Sequence, residues 1–255
     1  MLNPLALLGL ALFLLPLLGL VLRSASVLTG GLSSLLGPSV RAALWLSLTT
    51  SIAATLLSLL LGLPLAWVLA RLEFPGRRLA RALITLPMVL PPVVAGVALL
   101  SALGRRGVLG PLLEAFGIEL AFSPTAAILA ATFVSAPFLI VTVEAALESV
   151  DRNLEDAAAT LGATRARILW TVTLPTIRPA LLAGVALCWA RALGEFGATI
   201  TFAGNISGRT QTMPLAIYET LQSDHEGAMA LSLLLLLVSL AILIGLRGHL
   251  LRRSP

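Results

Sequence analysis

Apolar residues in this chain come in long blocks. Six runs stand out, at about 4–22, 42–70, 82–103, 124–143, 179–202 and 228–246. A run of ~20 apolar residues is what a helix needs to cross the hydrocarbon core. The pattern therefore predicts an all-α polytopic membrane protein with six transmembrane helices in a single domain over 1–255. The run at 4–22 competes with a signal peptide. Residues 1–10 carry no basic residue and the run has spanning length, so it is read as the first span. The second run is longer than a bilayer requires and must tilt or protrude. The third holds Pro87, Pro91 and Pro92 with Gly96, and the fourth holds Pro137. Prolines this dense free backbone carbonyls, which in lipid need neighbouring helices or water. The third run is thus expected to face the bundle interior, with an ordinary kink as the alternative.

One polar passage interrupts the blocks. Between runs four and five lies a loop at 144–178 whose centre reads EDAAATLGATRARILWTVTLP from Glu155 to Pro175. Leu154, Ala157, Ala158 and Leu161 recur at i, i+3, i+4 and i+7, one stripe of a helix. Asp151 is placed to cap its start, and Glu155 and Asp156 put negative charge in the first turn, where the helix dipole favours it. Gly162 stands just past the stripe, where a left-handed C-cap is required. Arg165 and Arg167 follow, then a second apolar segment that is expected to stop at Leu174-Pro175. The result is a helix–glycine–helix knob outside the membrane. Its apolar face either fills a partner's groove or lies on lipid headgroups. Glu144-Ala145-Ala146, at the end of the fourth run, reads as a helix terminus.

Composition agrees with the membrane reading: 58% of residues are hydrophobic and 11% charged. Every positive residue is Arg, and the net charge of +5 is better explained by the positive-inside rule than by nucleic-acid binding. Six spans put both termini on one side. That side holds eleven arginines (71, 77, 78, 81, 152, 165, 167, 178, 247, 252 and 253) and the other holds five (23, 41, 105, 106 and 209). The richer side is assigned to the cytoplasm, which makes the knob cytoplasmic.

Chemistry is sparse. Arg191 and Glu195 sit four residues apart within the fifth run. They either pair and lock the bundle or border a solute pathway in which Arg191 favours an anion. The small residues around them allow close helix approach. Cys188 and Trp189 read as core. His225, beside Asp224 and Glu226, reads as part of a solvated loop over 203–227, and no Cys/His cluster has metal-ligand spacing. With no Lys there is no phosphate-binding P-loop, and no nucleophile–base set stands out. The chain reads as a conduit that borrows its energy. A self-sufficient secondary transporter would need coupling carboxylates and repeats; only Glu195 is available and no repeat is visible. An intramembrane enzyme would need a constellation that is missing.

The polar passage resembles the coupling loop of the inner-membrane permeases of bacterial importers driven by ATP-binding-cassette subunits. That family's pattern is EAA, three residues, G, nine residues, I-x-L-P. Here it reads Asp156-Ala157-Ala158, Gly162 and Val172-Thr173-Leu174-Pro175, with Asp for Glu and Val for Ile. Glu144-Ala145-Ala146 is a decoy, since Val150 stands where the glycine belongs. Residues 86–100, 149–163 and 191–218 are similar to the permeases of molybdate importers, with sulfate and tungstate permeases as close relatives.

The resemblance implies a type I importer permease fold with a coupling helix at about Arg152 to Leu161. It implies that Leu154, Glu155, Asp156, Ala157, Ala158, Leu161, Gly162, Arg165, Leu174 and Pro175 serve coupling to an ATPase. Pro91, Pro92, Arg191 and Glu195 become candidates for the pathway or gate. Asn205, Arg209 and Gln211 become candidates for docking a binding protein. The implied partners are a second copy of this chain, two cytoplasmic ATPase subunits, a periplasmic oxyanion-binding protein and the lipid bilayer. No cofactor is expected on this chain, ATP-Mg being bound by the ATPase, and no catalytic residue is expected. The expected location is the bacterial inner membrane with both termini cytoplasmic, and the expected cargo is molybdate, with tungstate and sulfate as alternatives.

Overall fold

The computed structural model describes residues 3–28 and 37–251, with side chains at 3–24 and 37–244. Arg252 and Arg253, counted above for orientation, lie outside the described residues, as does the side chain of Arg247. The described residues form helices and no strand. In chain order these are α1 (Pro4–Leu28), α2 (Pro38–Arg71), α3 (Arg77–Val89), α4 (Pro92–Leu103), α5 (Gly110–Ala115), α6 (Pro124–Ser149), α7 (Arg152–Thr160) and α8 (Arg165–Ile168). A π-helical turn (Leu169–Thr173) leads into α9 (Leu174–Leu193), followed by α10 (Gly197–Phe202), α11 (Met213–Leu221) and α12 (His225–Leu251).

Among the described residues, five stretches are long and apolar enough to cross a bilayer: Pro4–Ser24, Pro38–Arg71, Pro124–Ser149, Arg165–Leu193 and His225–Ile244. The run at 82–103 is not one helix but two. Leu90 takes an extended conformation (φ −64°, ψ 136°) before Pro91, which is extended as well (φ −53°, ψ 132°). A residue preceding proline is pushed out of the helical region, and two consecutive prolines withhold two donors. Helix α4 has 12 residues, about 18 Å at ~1.5 Å per residue, against a hydrocarbon core of ~30 Å. Alone it is too short to cross.

The fifth run is also displaced. Leu174-Pro175 does not stop the helix, which continues from Arg165 to Leu193 and then breaks at Gly194 before α10. The π-turn explains the continuation. Leu174 N–H donates to Leu169 C=O, one residue further back than in an α-helix, and this wider turn admits a proline at the second position of α9. Thr171 and Thr176 hydroxyls donate to the carbonyls of Arg167 and Val172, four residues back. The fourth run extends to Ser149, so Glu144 lies inside α6 and is not a terminus.

The chain divides into two units, Met1–Ser47 with Asn205–Gly245, and Leu48–Gly204 with Leu246–Pro255. In the first, Ala43, Met213, Ala216 and Leu231 make a small core. Met213 N–H donates to Ser47 Oγ at 2.7 Å and Ser24 Oγ donates to Met229 C=O at 3.2 Å. Most of the described leucines of α1 are exposed, as suits a helix solvated by lipid. The loop at 203–227 contains α11, which its polar composition concealed. Asp224 caps α12, its Oδ1 accepting from Gly227 N–H, so His225 and Glu226 open a helix and are not loop residues.

In the second unit, Leu69, Leu139, Val143, Leu147, Ile177 and Cys188 form one core and Ala95, Ala126, Ala130, Val134, Ala198 and Phe202 another. Ala54, Ala131 and Ala192 bring α2, α6 and α9 together without bulk between them. Helices α4 and α10 approach more closely still. A Cβ at Gly96 would lie 2.6 Å from Thr201 Cβ, and one at Gly197 would lie 2.6 Å from Pro92 Cβ.

Candidate functional site

The knob is built by local rules. Asp151 Oδ1 accepts from Asn153 N–H at 3.0 Å and starts α7. Gly162 is left-handed at φ 85°. Ala163 N–H reaches back to Ala158 C=O at 3.1 Å and Gly162 N–H to Ala159 C=O at 2.9 Å, the paired bonds of a Schellman terminus. Thr164 Oγ1 then caps α8 by accepting from Arg167 N–H. No residue of α7 or α8 is buried. Leu154 and Leu161 are 52% and 89% exposed, so nothing among the described residues covers the stripe's two leucines. Arg165 and Asp156 are exposed too, whereas Leu174 is partly buried at the head of α9.

Glu155 points the other way, toward the transmembrane helices. Its Oε1 accepts from Arg71 Nη2 at 2.9 Å and from Thr173 Oγ1 at 2.8 Å. Arg71 closes α2 and its side chain is only 8% exposed. Alongside, Arg81 Nε meets Glu144 Oε1 at 2.5 Å, Arg81 Nη2 donates to Glu148, and Arg77 Nη2 lies 3.2 Å from Glu148 Oε1. The hydrogen bond to Glu144 raises the Arg81 pKa above its ordinary value, with further help from Glu148. Arg77 and Arg81 of the arginine-rich turn therefore tie α3 to α6. Sequence reading missed these carboxylate partners. The available signal was Glu144 and Glu148, one helical turn apart on the end of α6. A cavity of about 610 Å³ separates the knob from the helices, lined among others by Leu63, Trp67, Leu147, Asp156, Arg165 and Leu174.

The remaining candidates fall in two places. Arg191 Nη1 and Glu195 Oε2 stand 2.7 Å apart, with side chains 27% and 2% exposed. That oxygen accepts no hydrogen bond of good geometry among the described residues, so the contact is an ion pair by distance alone. Glu195 lies beyond the end of α9, and its Oε1 accepts from Ala198 N–H at 2.7 Å. Pro91 and Pro92 reach the same neighbourhood through the Pro92–Gly197 contact. Asn205 and Gln211 belong to the other unit, where both donate to Glu219 Oε2, at 2.8 and 2.6 Å. Arg209 is exposed there and pairs with no carboxylate among the described residues.

The family described as binding-protein-dependent transport system inner membrane component matches residues 58–254. The chain is 50% identical over 208 residues to the molybdenum transport system permease protein ModB of Mycobacterium tuberculosis, covering 82% of this chain and 79% of the relative. It is 46% identical over 202 residues to ModB of Escherichia coli, covering 79% and 88%. To the sulfate transport system permease protein CysT of Salmonella typhimurium it is 42% identical over 207 residues, covering 81% and 75%. Among solved structures, a bacterial ABC transporter involved in alginate import matches with TM-score 0.75 at 18% identity, covering 98% of this chain and 93% of that one. The MetNI methionine ABC transporter matches with TM-score 0.65 at 19% identity, covering 84% and 95%. At such identities these structures speak for the fold.

Proposed function

The chain belongs to the family of inner-membrane components of binding-protein-dependent transport systems, and from that premise we propose that it passes molybdate from a periplasmic binding protein to the cytoplasm by ATP-driven alternating access. Its broader role is that of an ABC importer permease subunit, a transport component and not an enzyme. The choice of molybdate rests on one observation: identity is 50% and 46% to molybdenum permeases and 42% to a sulfate permease. Sulfate is the second reading for that reason, with tungstate sharing the geometry of either anion.

In this reading two copies of the chain face each other and each knob seats in a cytoplasmic ATPase subunit. The exposed Leu154 and Leu161 supply the apolar contact, and Gly162 sets the turn behind them. ATP binding draws the ATPase subunits together and the knobs with them. The transmembrane helices then exchange an inward-open for an outward-open arrangement, the two-state element on which ATP and the loaded binding protein both act. Asn205, Arg209 and Gln211 are proposed to meet the binding protein. The break at Gly194 to Phe196 and the one at Leu90-Pro91, joined by the Pro92–Gly197 contact, are proposed to form the gate. Both termini are placed in the cytoplasm.

Uptake of labelled molybdate at nanomolar concentration, in cells with and without the gene, tests the substrate. Uptake is expected to vanish on deletion and to be blocked by tungstate but not by excess sulfate. Unchanged molybdate uptake with lost sulfate uptake would overturn the molybdate assignment and favour the second reading.

A further inference from the structure

Resting on the permease reading above, we propose that Arg71, Glu155 and Thr173 form a strut that carries the knob's displacement into the transmembrane helices. They are positioning residues for coupling ATP hydrolysis to transport. Coupling requires a stiff connection, because a knob that slides on its neighbours moves without moving them. Apolar packing does not supply that connection for α7, which meets the continuous Arg165–Leu193 helix across the Gly162 turn. Neither α7 nor α8 has a buried residue, and the 610 Å³ cavity lies between the knob and α2.

Glu155 bridges the gap with one oxygen. Its Oε1 accepts from the last residue of α2 at 2.9 Å and from the last residue of the π-turn at 2.8 Å. Both anchors are firm. The Arg71 side chain is 8% exposed and its Nη2 makes the bond to Glu155, while its buried Nε meets no acceptor among the described residues. Thr173 is 2% exposed and runs directly into α9. A shift of Glu155 therefore pulls on two long helices at once. The other ion pairs do not duplicate this link, since Arg77 and Arg81 with Glu144 and Glu148 join α3 to α6 and touch no knob residue. A charge pair suits the task better than a lone neutral bond. Separating two largely desolvated partners is strongly opposed, so the two ends stay together through the stroke.

The test uses this chain assembled with its ATPase subunits in liposomes, with the binding protein and molybdate outside. Anion entry and ATP hydrolysis are measured in the same vesicles. Arg71→Glu and Glu155→Arg are each expected to lower the anion moved per ATP by ~10-fold or more while the ATPase subunits still co-purify, and the double exchange to restore the ratio to within ~3-fold of the parent. Thr173→Val is expected to lower the ratio by about 2- to 5-fold, as one of the two bonds is lost. The ratio is the decisive readout, because a purely structural defect reduces the amount of complex and not its coupling. Should a reversal fail to insert, Glu155→Gln and Thr173→Val carry the same test with little change in volume. Reversals that leave the ratio unchanged, or a double exchange no better than either single one in assembled complex, overturn the strut. A parent complex that hydrolyses ATP and moves no oxyanion overturns the permease reading, and the strut with it, and is distinguishable from both.

Discussion

Gly162 shows how much one residue can carry. At φ 85° an L side chain is strained by about 1–2 kcal/mol, although a Cβ there would meet nothing within 4 Å. That strain is too small to unfold a membrane domain, so Gly162→Arg should abolish uptake while leaving the protein in the membrane fraction. Wild-type uptake in that variant would refute the knob's coupling role. Gly197 is demanding for the opposite reason. A Cβ there meets Pro92 Cβ at 2.6 Å and Val93 N at 3.1 Å, and neither atom belongs to a flexible side chain. Gly197→Ala should cost about 1–3 kcal/mol, read as a lowered melting temperature in detergent. Gly194→Ala, whose nearest contact would be 3.7 Å away, should melt like the parent. The conformation of Gly162 was legible in the sequence because a C-cap glycine follows from the stripe before it. The crowding at Gly197 was not, because its neighbour lies in another helix.

Helices and breaks occupy the next scale. Helix α7 is short and has no buried residue, so its exposed face contributes little to the fold. Leu161→Asp should leave insertion and melting unchanged and reduce co-purification of the ATPase subunits by roughly 10-fold or more, as loss of an apolar anchor does at interfaces. An unchanged yield of ATPase would show that this face is not the docking surface. The limits of α2, α6 and α12 lie close to the apolar blocks, for in these the block and the helix are the same object. The third and fifth runs differ. Proline is accommodated at the head of α9, where a π-turn precedes it, and at Pro87 inside α3, whereas the third run breaks at Leu90 before the consecutive Pro91 and Pro92. Both sites hold prolines in apolar sequence, and composition does not distinguish them.

For the molecule as a whole, orientation is the open quantity with a direct measurement. Cys188, the single cysteine of the sequence, is fully buried and should resist a membrane-impermeant thiol reagent. In that background Arg78→Cys should label only from the cytoplasmic side and Glu119→Cys only from the periplasmic side. The reverse pattern would overturn the placement of both termini in the cytoplasm. Glu119 is a mild site to change, since its pair with Arg105 is 69% exposed on both partners and surface pairs contribute little.

The sequence by itself determined the membrane class, the approximate spans, the knob with its two caps and the family pattern. Each depends on residues within a few turns of one another, where hydrophobic period, capping and backbone sterics act. Only the tertiary structure decided what the charges do. Arg71 and Glu155 are 84 positions apart, and Glu155 and Thr173 are 18 apart. No local rule distinguishes Glu155, which bonds to Arg71 and Thr173, from Asp156 beside it, which is exposed at the cavity. That choice depends on which side of α7 meets the end of α2, and it is made only when the separate helices pack.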